Sequence, residues 1–303
     1  MTNPTRMALA AAAALALWAA PRPAGASGVA LKHVISVYAD DAGKGLRRPE
    51  GVACTDDGLI VVSDTGNARL LTFSFKGLGV LGGKPITSPD LRTPGELQLD
   101  AEGNIIVLDE RRNVLVRLSA KGEPQGKVEL KGLPEGSEPP VVAAFKVRGA
   151  TLYLLDGAGK AVLVADGGGN VTRRIPLPAG KGPFTDLAVD ASGTIFAVDP
   201  TKAALWAAGK DAKEFSPLNE SMREITSFPS QLTVDAQGNL FVVDRNGGSL
   251  VQLGPDGAYQ ARHLGFGWAD GQLQYPIQIC VTADYMVVAD RGNHRLQVFQ
   301  VLR

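Results

Sequence analysis

Residues 290–296 read Asp-Arg-Gly-Asn-His-Arg-Leu, and this stretch decides the fold. Apolar runs flank it at residues 286–289 and 296–302. Residues 64–70 repeat it near the other end of the chain as Asp-Thr-Gly-Asn-Ala-Arg-Leu. A phrase that returns after the same kind of apolar run indicates a repeated structural unit rather than an isolated site.

Six aspartates each end a short apolar run, and their successive spacings are 45, 47, 43, 45 and 46 residues. They are Asp64, Asp109, Asp156, Asp199, Asp244 and Asp290. Such a period is typical of propellers and solenoids. Tight turns such as Asp-Ala-Ser-Gly at residues 190–193 separate further apolar runs within each unit. Four short strands per unit without a helical period predict one propeller blade.

The two ends of the chain predict how the blades close into a ring. The sixth unit stops at Arg303 after its third strand, whereas residues 31–38 form an additional strand ahead of the first unit. We therefore predict an all-β fold, a six-bladed β-propeller of four-stranded antiparallel blades whose last blade is completed by the N-terminal strand. Closure removes the open sheet edge that a linear array leaves. A solenoid capped at both ends is the alternative.

The first 26 residues have the pattern of a secretory signal peptide. One basic residue precedes an apolar run at residues 7–20, and Ala-Gly-Ala at 24–26 has the form of a cleavage site. The apolar run is shorter than the roughly 20 residues needed to span a bilayer. We expect residues 1–26 to be removed and residues 27–303 to form the propeller, exported to the periplasm or the exterior of a bacterium with no membrane span left.

The charge balance argues against a nucleic-acid partner. Residues 1–26 carry two arginines and no acid, so 29 basic side chains face 31 acidic ones in the remaining chain. Binding to nucleic acid needs a clustered basic surface. We expect a monomer without a cofactor, whose partner is a protein, peptide or glycan of the cell envelope.

The phrase Asp-x-Gly-Asn-x-Arg after an apolar strand, with proline opening the next unit, resembles the NHL repeat. The resemblance is close in the first and sixth units and weaker in the other four. It implies a six-bladed propeller, usually a platform for protein or nucleic-acid partners and occasionally an enzyme.

The six repeated aspartates invite a metal-binding interpretation, but we favour a structural one. An aspartate at the end of a strand accepts backbone N–H groups from the adjacent turn, and every blade needs that turn. We expect the same structural role for Asn67, Asn293, Arg69 and Arg295. Glu50 is a weak metal candidate, because Glu50-Gly51 resembles the metal-binding start of gluconolactonase propellers, but we find no further ligands in later blades.

The histidines do not support a zinc site like that of the amidating lyases, which are NHL propellers. His33 and His263 fall on outer strands of different blades, and His294 begins a third strand. A catalytic zinc usually needs about three convergent ligands.

Cys54 and Cys280 each stand ten residues before an aspartate of the repeat. Equivalent positions in rotated blades point in the same rotational sense, so we favour two buried free cysteines, which behave as small hydrophobes. A disulfide between the first and last blades is the alternative.

The turns after the six aspartates and the loops between blades share one side of the disc, which we call the loop face. It carries arginine and aromatic residues, the composition of interaction hot spots. These are Arg47, Arg48, Arg92, Arg111, Arg112, Arg223, Arg245, Trp268, Tyr275 and Arg291. We expect a non-enzymatic binding scaffold with its partner on this face. The alternatives are a metal-dependent hydrolase or lyase working in the channel, and a structural role in the envelope.

Overall fold

A computed structural model describes residues 28–303, and the expected signal peptide lies outside these residues. The described chain is built from strands, and its only helices are three short 3₁₀ turns at Thr65–Asn67, Met222–Glu224 and Arg291–Asn293. Six four-stranded antiparallel sheets form six blades. The predicted all-β, six-bladed propeller is confirmed.

The blades follow one another along the chain, each running from an inner strand to an outer one. Blade one comprises β2 (Pro49–Cys54), β3 (Leu59–Asp64), β4 (Arg69–Lys76) and β5 (Gly79–Ile86). Blade two comprises β6 (Pro94–Leu99), β7 (Ile105–Asp109), β8 (Val114–Leu118) and β9 (Pro124–Lys127). Blade three comprises β10 (Val142–Arg148), β11 (Thr151–Asp156), β12 (Ala161–Asp166) and β13 (Val171–Pro176). Blade four comprises β14 (Asp186–Val189), β15 (Ile195–Asp199), β16 (Ala204–Ala208) and β17 (Ser216–Asn219). Blade five comprises β18 (Pro229–Val234), β19 (Leu240–Asp244), β20 (Ser249–Leu253) and β21 (Tyr259–His263). A short parallel pair, β22 (Gly265–Phe266) and β23 (Gln272–Leu273), then leads to the sixth blade.

The sixth blade joins the two ends of the chain, as predicted. It contains β24 (Ile279–Val281), β25 (Tyr285–Asp290) and β26 (Arg295–Leu302), and its outer strand is β1 (Ala30–Val37). β1 pairs antiparallel with β26 from Ala30 opposite Leu302 to Val37 opposite Leu296. The N-terminal strand therefore closes the ring.

The apolar core is divided into six buried clusters, one between each pair of neighbouring blades. At the seam between the first and last blades, Ile60 and Val62 pack in the same cluster as Val287 and Val298. Alternating strand residues point to opposite faces of a sheet, so both faces of each blade carry apolar side chains that a neighbour covers. This explains why the second and third strands read as nearly continuous apolar runs.

Each repeated aspartate joins the end of a second strand to the segment that enters its blade. All six accept a hydrogen bond from a backbone N–H located 15 to 17 residues earlier in the chain. The donors are Arg47, Arg92, Val141, Gly182, Ser227 and Gln274. In the last blade, Asp290 also accepts bonds from Asn293 and from Arg295 Nε, both at 2.8 Å. These bonds fix the entry to every inner strand and so position the loop face.

Cys54 and Cys280 form a disulfide, with Cα atoms 5.9 Å apart, so the favoured prediction of two free cysteines is wrong. Their equal spacing in sequence hides a difference in register. Cys54 pairs with Ile60, four residues before Asp64, because the register shifts within β2, whereas Cys280 pairs with Val287, three residues before Asp290. A one-residue difference turns a side chain to the other face of its sheet. The two thiols therefore face each other across the seam.

Within residues 28–303, no helix has the length and apolar character needed to cross a membrane.

Candidate ligand-binding site at the channel mouth

The inner strands of the six blades surround a central channel, and a cavity of about 250 Å³ opens at its loop-face end. We call this the mouth cavity. Every blade contributes to its wall from the start of its inner strand or the segment just before it. The contributing residues include Glu50, Glu96, Ala144, Asp186, Gln231 and Gln278. A second cavity of about 140 Å³ lies further along the channel, and Gln231 and Gln278 line both.

Glu50 is buried at the wall of the mouth cavity and is held by two arginines. Its Oε1 accepts hydrogen bonds from Arg291 Nε at 2.8 Å and from Arg48 Nη2 at 3.1 Å. Arg291 comes directly after the sixth aspartate of the repeat, and Arg48 directly precedes the first inner strand. The Glu50 carboxylate thus offsets one of the two positive charges.

A buried charge cluster separates the two cavities. Lys146 on β10 forms ion pairs with Glu96 on β6 and with Asp186 on β14, the latter at 2.8 Å. Glu96 also accepts the Phe145 N–H at 2.9 Å, and Asp186 accepts the Leu232 N–H at 2.8 Å. The cluster therefore ties the inner strands of blades two to five together across the channel.

Burial sets the protonation of this cluster. Removal from water raises the pKa of Glu96 to about 7, against the opposing attraction of Lys146. Burial also raises the pKa of Asp186. Burial alone would lower the pKa of Lys146, but the negative charges of Asp186 and Glu96 raise it, so the ammonium stays charged. One ammonium faces two carboxyls, and Glu96 stays protonated up to about neutral pH.

Glu110 follows the second aspartate of the repeat and lines the mouth cavity. Its side chain lies over Gly95, where a Cβ atom would collide with it. Although the residue as a whole is exposed, burial of its carboxyl and the neighbouring charge of Glu50 raise the pKa of Glu110 to about 7. Within residues 28–303, no hydrogen bond or ion pair engages its carboxyl. A carboxyl with such a pKa exchanges a proton readily near neutral pH.

The comparisons with known proteins agree with this architecture. The family model of the NHL repeat matches residues 46–73, which include the first two strands of blade one, most of its third strand and the segment before them. Together with the six blades, this match supports the predicted repeat type. The chain is a six-bladed propeller with an NHL repeat in its first blade. No curated protein sequence matches it closely enough to add a relative.

Several solved structures share the fold of this NHL-repeat propeller. Virginiamycin B lyase from Staphylococcus aureus is 13% identical with a TM-score of 0.60, and the match covers 91% of this chain and 100% of the lyase. A gluconolactonase from Xanthomonas campestris is 15% identical with a TM-score of 0.64, covering 90% of each chain. The calcium-binding protein regucalcin from Agrobacterium tumefaciens is 14% identical with a TM-score of 0.57, covering 85% of this chain and 91% of that one. At these identities the likeness establishes the fold alone.

The NHL-repeat propeller brings some of the predicted loop-face residues to the mouth cavity and leaves others away from it. Arg245 lines the cavity, and Arg48 and Arg291 reach its wall through Glu50. Arg112 instead binds the Asp90 carbonyl at 3.3 Å, and Arg223 binds the Thr201 carbonyl at 2.9 Å. The remaining predicted residues do not line the mouth cavity; they are Arg47, Arg92, Arg111, Trp268 and Tyr275.

The two predicted aromatic residues belong to an exposed patch beside the sixth blade. Trp268 is 77% exposed, and Tyr275 packs edge-on against Phe266 with ring centroids 6.1 Å apart. The patch lies on the loop between β21 and β24, which also carries Ile277 of the mouth cavity. Tyr275 of this patch precedes Ile277 of the cavity wall by two residues along the chain.

The donor groups at the mouth do not fit a divalent metal. Glu50, the weak metal candidate, already binds two guanidinium groups, and the Lys146 ammonium occupies the space between Glu96 and Asp186. Within residues 28–303, no three histidine, cysteine, aspartate or glutamate side chains come close enough to share a metal ion. A cation would first have to displace these built-in positive charges.

Sequence reasoning missed Glu96, Glu110, Lys146, Asp186 and Gln231, although each left a signal. Glu110 occupies the same place after its aspartate as Arg245 and Arg291, which were identified. Lys146 interrupts an apolar strand, where a charge needs a partner. Asp186 is the first residue of its inner strand and Gln231 the third residue of its own, so their convergence follows once the inner strands of the repeat are arranged around one axis.

Proposed function

We propose that the protein is an exported binding scaffold without catalytic activity of its own. Its partner, a protein, peptide or glycan of the bacterial envelope, sits on the loop face over the mouth cavity. The propeller holds six inner strands rigidly around one axis, and each strand contributes a side chain to one concave surface. Concave sites of this kind bind ligands with little rearrangement.

The observation that carries the proposal is the state of Arg245. Its side chain is half-buried at the mouth cavity, yet within residues 28–303 its guanidinium has neither a hydrogen-bonding nor an ion-pair partner. An arginine in a partly desolvated pocket binds carboxylates and other planar anions through two parallel hydrogen bonds. The nearby exposed aromatic patch offers contact area of the kind that anchors partners. We infer that the partner inserts an anionic group at Arg245.

A charge reversal at this residue tests the proposal. Arg245→Glu should reduce capture of the partner from a solubilised envelope fraction by at least about tenfold, since a repelling charge replaces a charge-assisted hydrogen bond. Lys213→Glu is the matched control, because Lys213 is exposed on the turn between β16 and β17 on the opposite side of the disc. Loss of capture in both variants, or in neither, contradicts binding at the mouth.

Glu110 favours a second candidate function, a hydrolase or lyase that uses the mouth cavity. A carboxyl with a pKa of about 7 can act as general acid or base at neutral pH. The structural neighbours include a lyase and a gluconolactonase, which supports this candidate by analogy of fold only. Glu110→Gln keeps the shape of the side chain but cannot transfer a proton. Turnover of a panel of sugar lactones and cyclic depsipeptides that is lost in Glu110→Gln would establish catalysis, and no turnover by the wild type removes this candidate.

The metal-dependent form of that candidate has a separate test. Addition of Ca²⁺ or Zn²⁺ should leave the thermal midpoint unchanged, because Glu50 is engaged by Arg48 and Arg291. A stabilisation that depends on the metal concentration and disappears in Glu50→Gln would show a metal site and favour the metal-dependent enzyme over the binding scaffold.

A further inference from the structure

The side of the mouth cavity that blades five and six form combines one guanidinium group with apolar side chains. The backbone N–H of Arg245 bonds to the Phe228 carbonyl at 3.0 Å, which places these two residues opposite each other at the entry to β18. Ile277 precedes β24 in the neighbouring blade and lines the same cavity. Phe228 and Ile277 are each half-buried, so both keep apolar surface at the cavity.

Arg245 differs from the other cations at the mouth because the protein supplies it with no counter-charge among residues 28–303. Arg48 and Arg291 share the Glu50 carboxylate, and the Lys146 ammonium lies between two carboxyl groups. An anion that binds to Arg245 therefore does not have to displace a carboxylate of the protein first.

The polar groups of the wall offer little to the rest of such a ligand. The Gln278 amide bonds to backbone groups of neighbouring inner strands, and the Thr185 and Ser230 hydroxyls donate to backbone carbonyls. The exception is the buried side-chain oxygen of Gln231, which has no donor among residues 28–303. One acceptor can serve one donor, whereas a sugar acid brings several hydroxyl groups that need partners. The wall thus favours an apolar body.

We propose that the mouth cavity binds a compact apolar monocarboxylate. Its carboxylate accepts two parallel hydrogen bonds from Arg245, and its apolar body lies against Phe228 and Ile277. A cavity of about 250 Å³ is smaller than the roughly 300–1,000 Å³ of pockets for drug-sized ligands, so the body is short. The carboxylate belongs to a free acid or to the end of a peptide chain that leaves through the mouth, because both present the same chemistry. This ligand rests on the function proposed above only in placing an anionic group at Arg245.

Calorimetric titration of the purified protein tests the ligand with 4-methylpentanoate and three relatives. Acetate lacks the apolar body, 4-methylpentanamide lacks the charge, and glucuronate has a hydroxylated body. The parent acid should bind, and each relative should bind at least about tenfold more weakly, because apolar contact, the charge-assisted bonds or hydroxyl partners are lost. No detectable binding of 4-methylpentanoate up to about 10 mM, or equal affinity for any of the relatives, overturns the proposal.

A fifth compound, N-acetyl-L-leucine, distinguishes the two sources of the carboxylate. It carries the same apolar group but continues beyond the α-carbon as a peptide chain does. Binding as tight as that of 4-methylpentanoate, or tighter, assigns the site to a peptide end. Weaker binding assigns it to a free acid.

Variants assign the two parts of the ligand. Arg245→Met should weaken 4-methylpentanoate at least about tenfold and leave the amide unchanged, because the amide has no charge for Arg245 to pair with. Its thermal midpoint should stay close to that of the wild type, since no partner inside the described chain is lost. Phe228→Ala should reduce the advantage of 4-methylpentanoate over acetate.

Arg112→Met is the matched control, because Arg112 is on the loop face but away from the cavity. It should bind 4-methylpentanoate as the wild type does. An affinity that Arg245→Met leaves unchanged, or that Arg112→Met lowers equally, overturns the assignment to Arg245.

The results separate this ligand from the proposed function. Partner capture that depends on Arg245, without binding of 4-methylpentanoate or N-acetyl-L-leucine, refutes the apolar carboxylate alone. Binding of the acid that depends on Arg245, with partner capture unchanged in Arg245→Glu, refutes the partner surface alone.

Discussion

Removal of the disulfide between Cys54 and Cys280 should lower the free energy of unfolding by several kcal/mol. The bond joins residues separated by 226 positions, so it closes most of the chain into one loop. Loop-closure entropy for a loop of that length corresponds to about 5 kcal/mol at 25 °C, and native disulfides typically contribute about 2–5 kcal/mol. Without the disulfide, the ring is closed by the hydrogen bonds between β1 and β26 and by apolar packing between the first and last blades.

The assay is urea unfolding followed by the fluorescence of Trp206, which is buried between blades three and four. The variant Cys54→Ala/Cys280→Ala should unfold at a lower urea concentration than the oxidised wild type. Wild type treated with a reductant should match the variant, which controls for the packing effect of the substitutions. A thiol titration that finds two free thiols in the untreated wild type refutes the disulfide. An unchanged midpoint after verified reduction refutes the argument from loop entropy.

Three further predictions concern closure, the repeat and pH. A chain that starts at residue 39 lacks β1 and should show a markedly lower thermal midpoint than one that starts at residue 28; equal midpoints contradict closure by the N-terminal strand. Asp290→Ala should cost about 3–5 kcal/mol in urea unfolding, since it removes the buried carboxylate that pairs with Arg295 and leaves this arginine only the exposed Asp270, whereas Asp156→Ala removes no such ion pair and should cost less. Because the pKa of Glu110 is raised from 4.5 to about 7, the folded chain retains a proton that the unfolded chain has released in that window, so the free energy of unfolding falls as pH rises from 4.5 to 7. Glu110→Gln should reduce that fall, and an identical pH profile for variant and wild type contradicts the raised pKa.

The blades could be predicted from the sequence because their signal is local and repeated. An apolar run, an aspartate and a turn return six times, and each copy supports the others. Closure could be predicted because residues 31–38 had no partner in the first unit while the last unit lacked one strand. Both inferences depend on counting strands, and neither requires knowledge of a side-chain direction.

The disulfide and the mouth cavity depend on direction and register, which the repeat does not encode. Cys54 and Cys280 have the same sequence spacing, but an irregularity in β2 turns them to opposite faces of their sheets. Glu96, Lys146 and Asp186 come from three different blades, and only the ring brings them together. The arginines of the loop face could be identified as a class, but which of them reach the cavity depends on the turn that holds each one.

Binding of a partner over the mouth cavity is the central claim, and site-specific photocrosslinking tests it most directly. A photoreactive phenylalanine derivative in place of Phe228 lies at the cavity, and the same residue in place of Lys213 lies on the opposite side of the disc. On irradiation in intact cells of the source organism, the protein with the probe at position 228 should form a defined adduct with an envelope component, and the protein with the probe at 213 should form none. Adducts at position 213 but not at 228 would contradict the account.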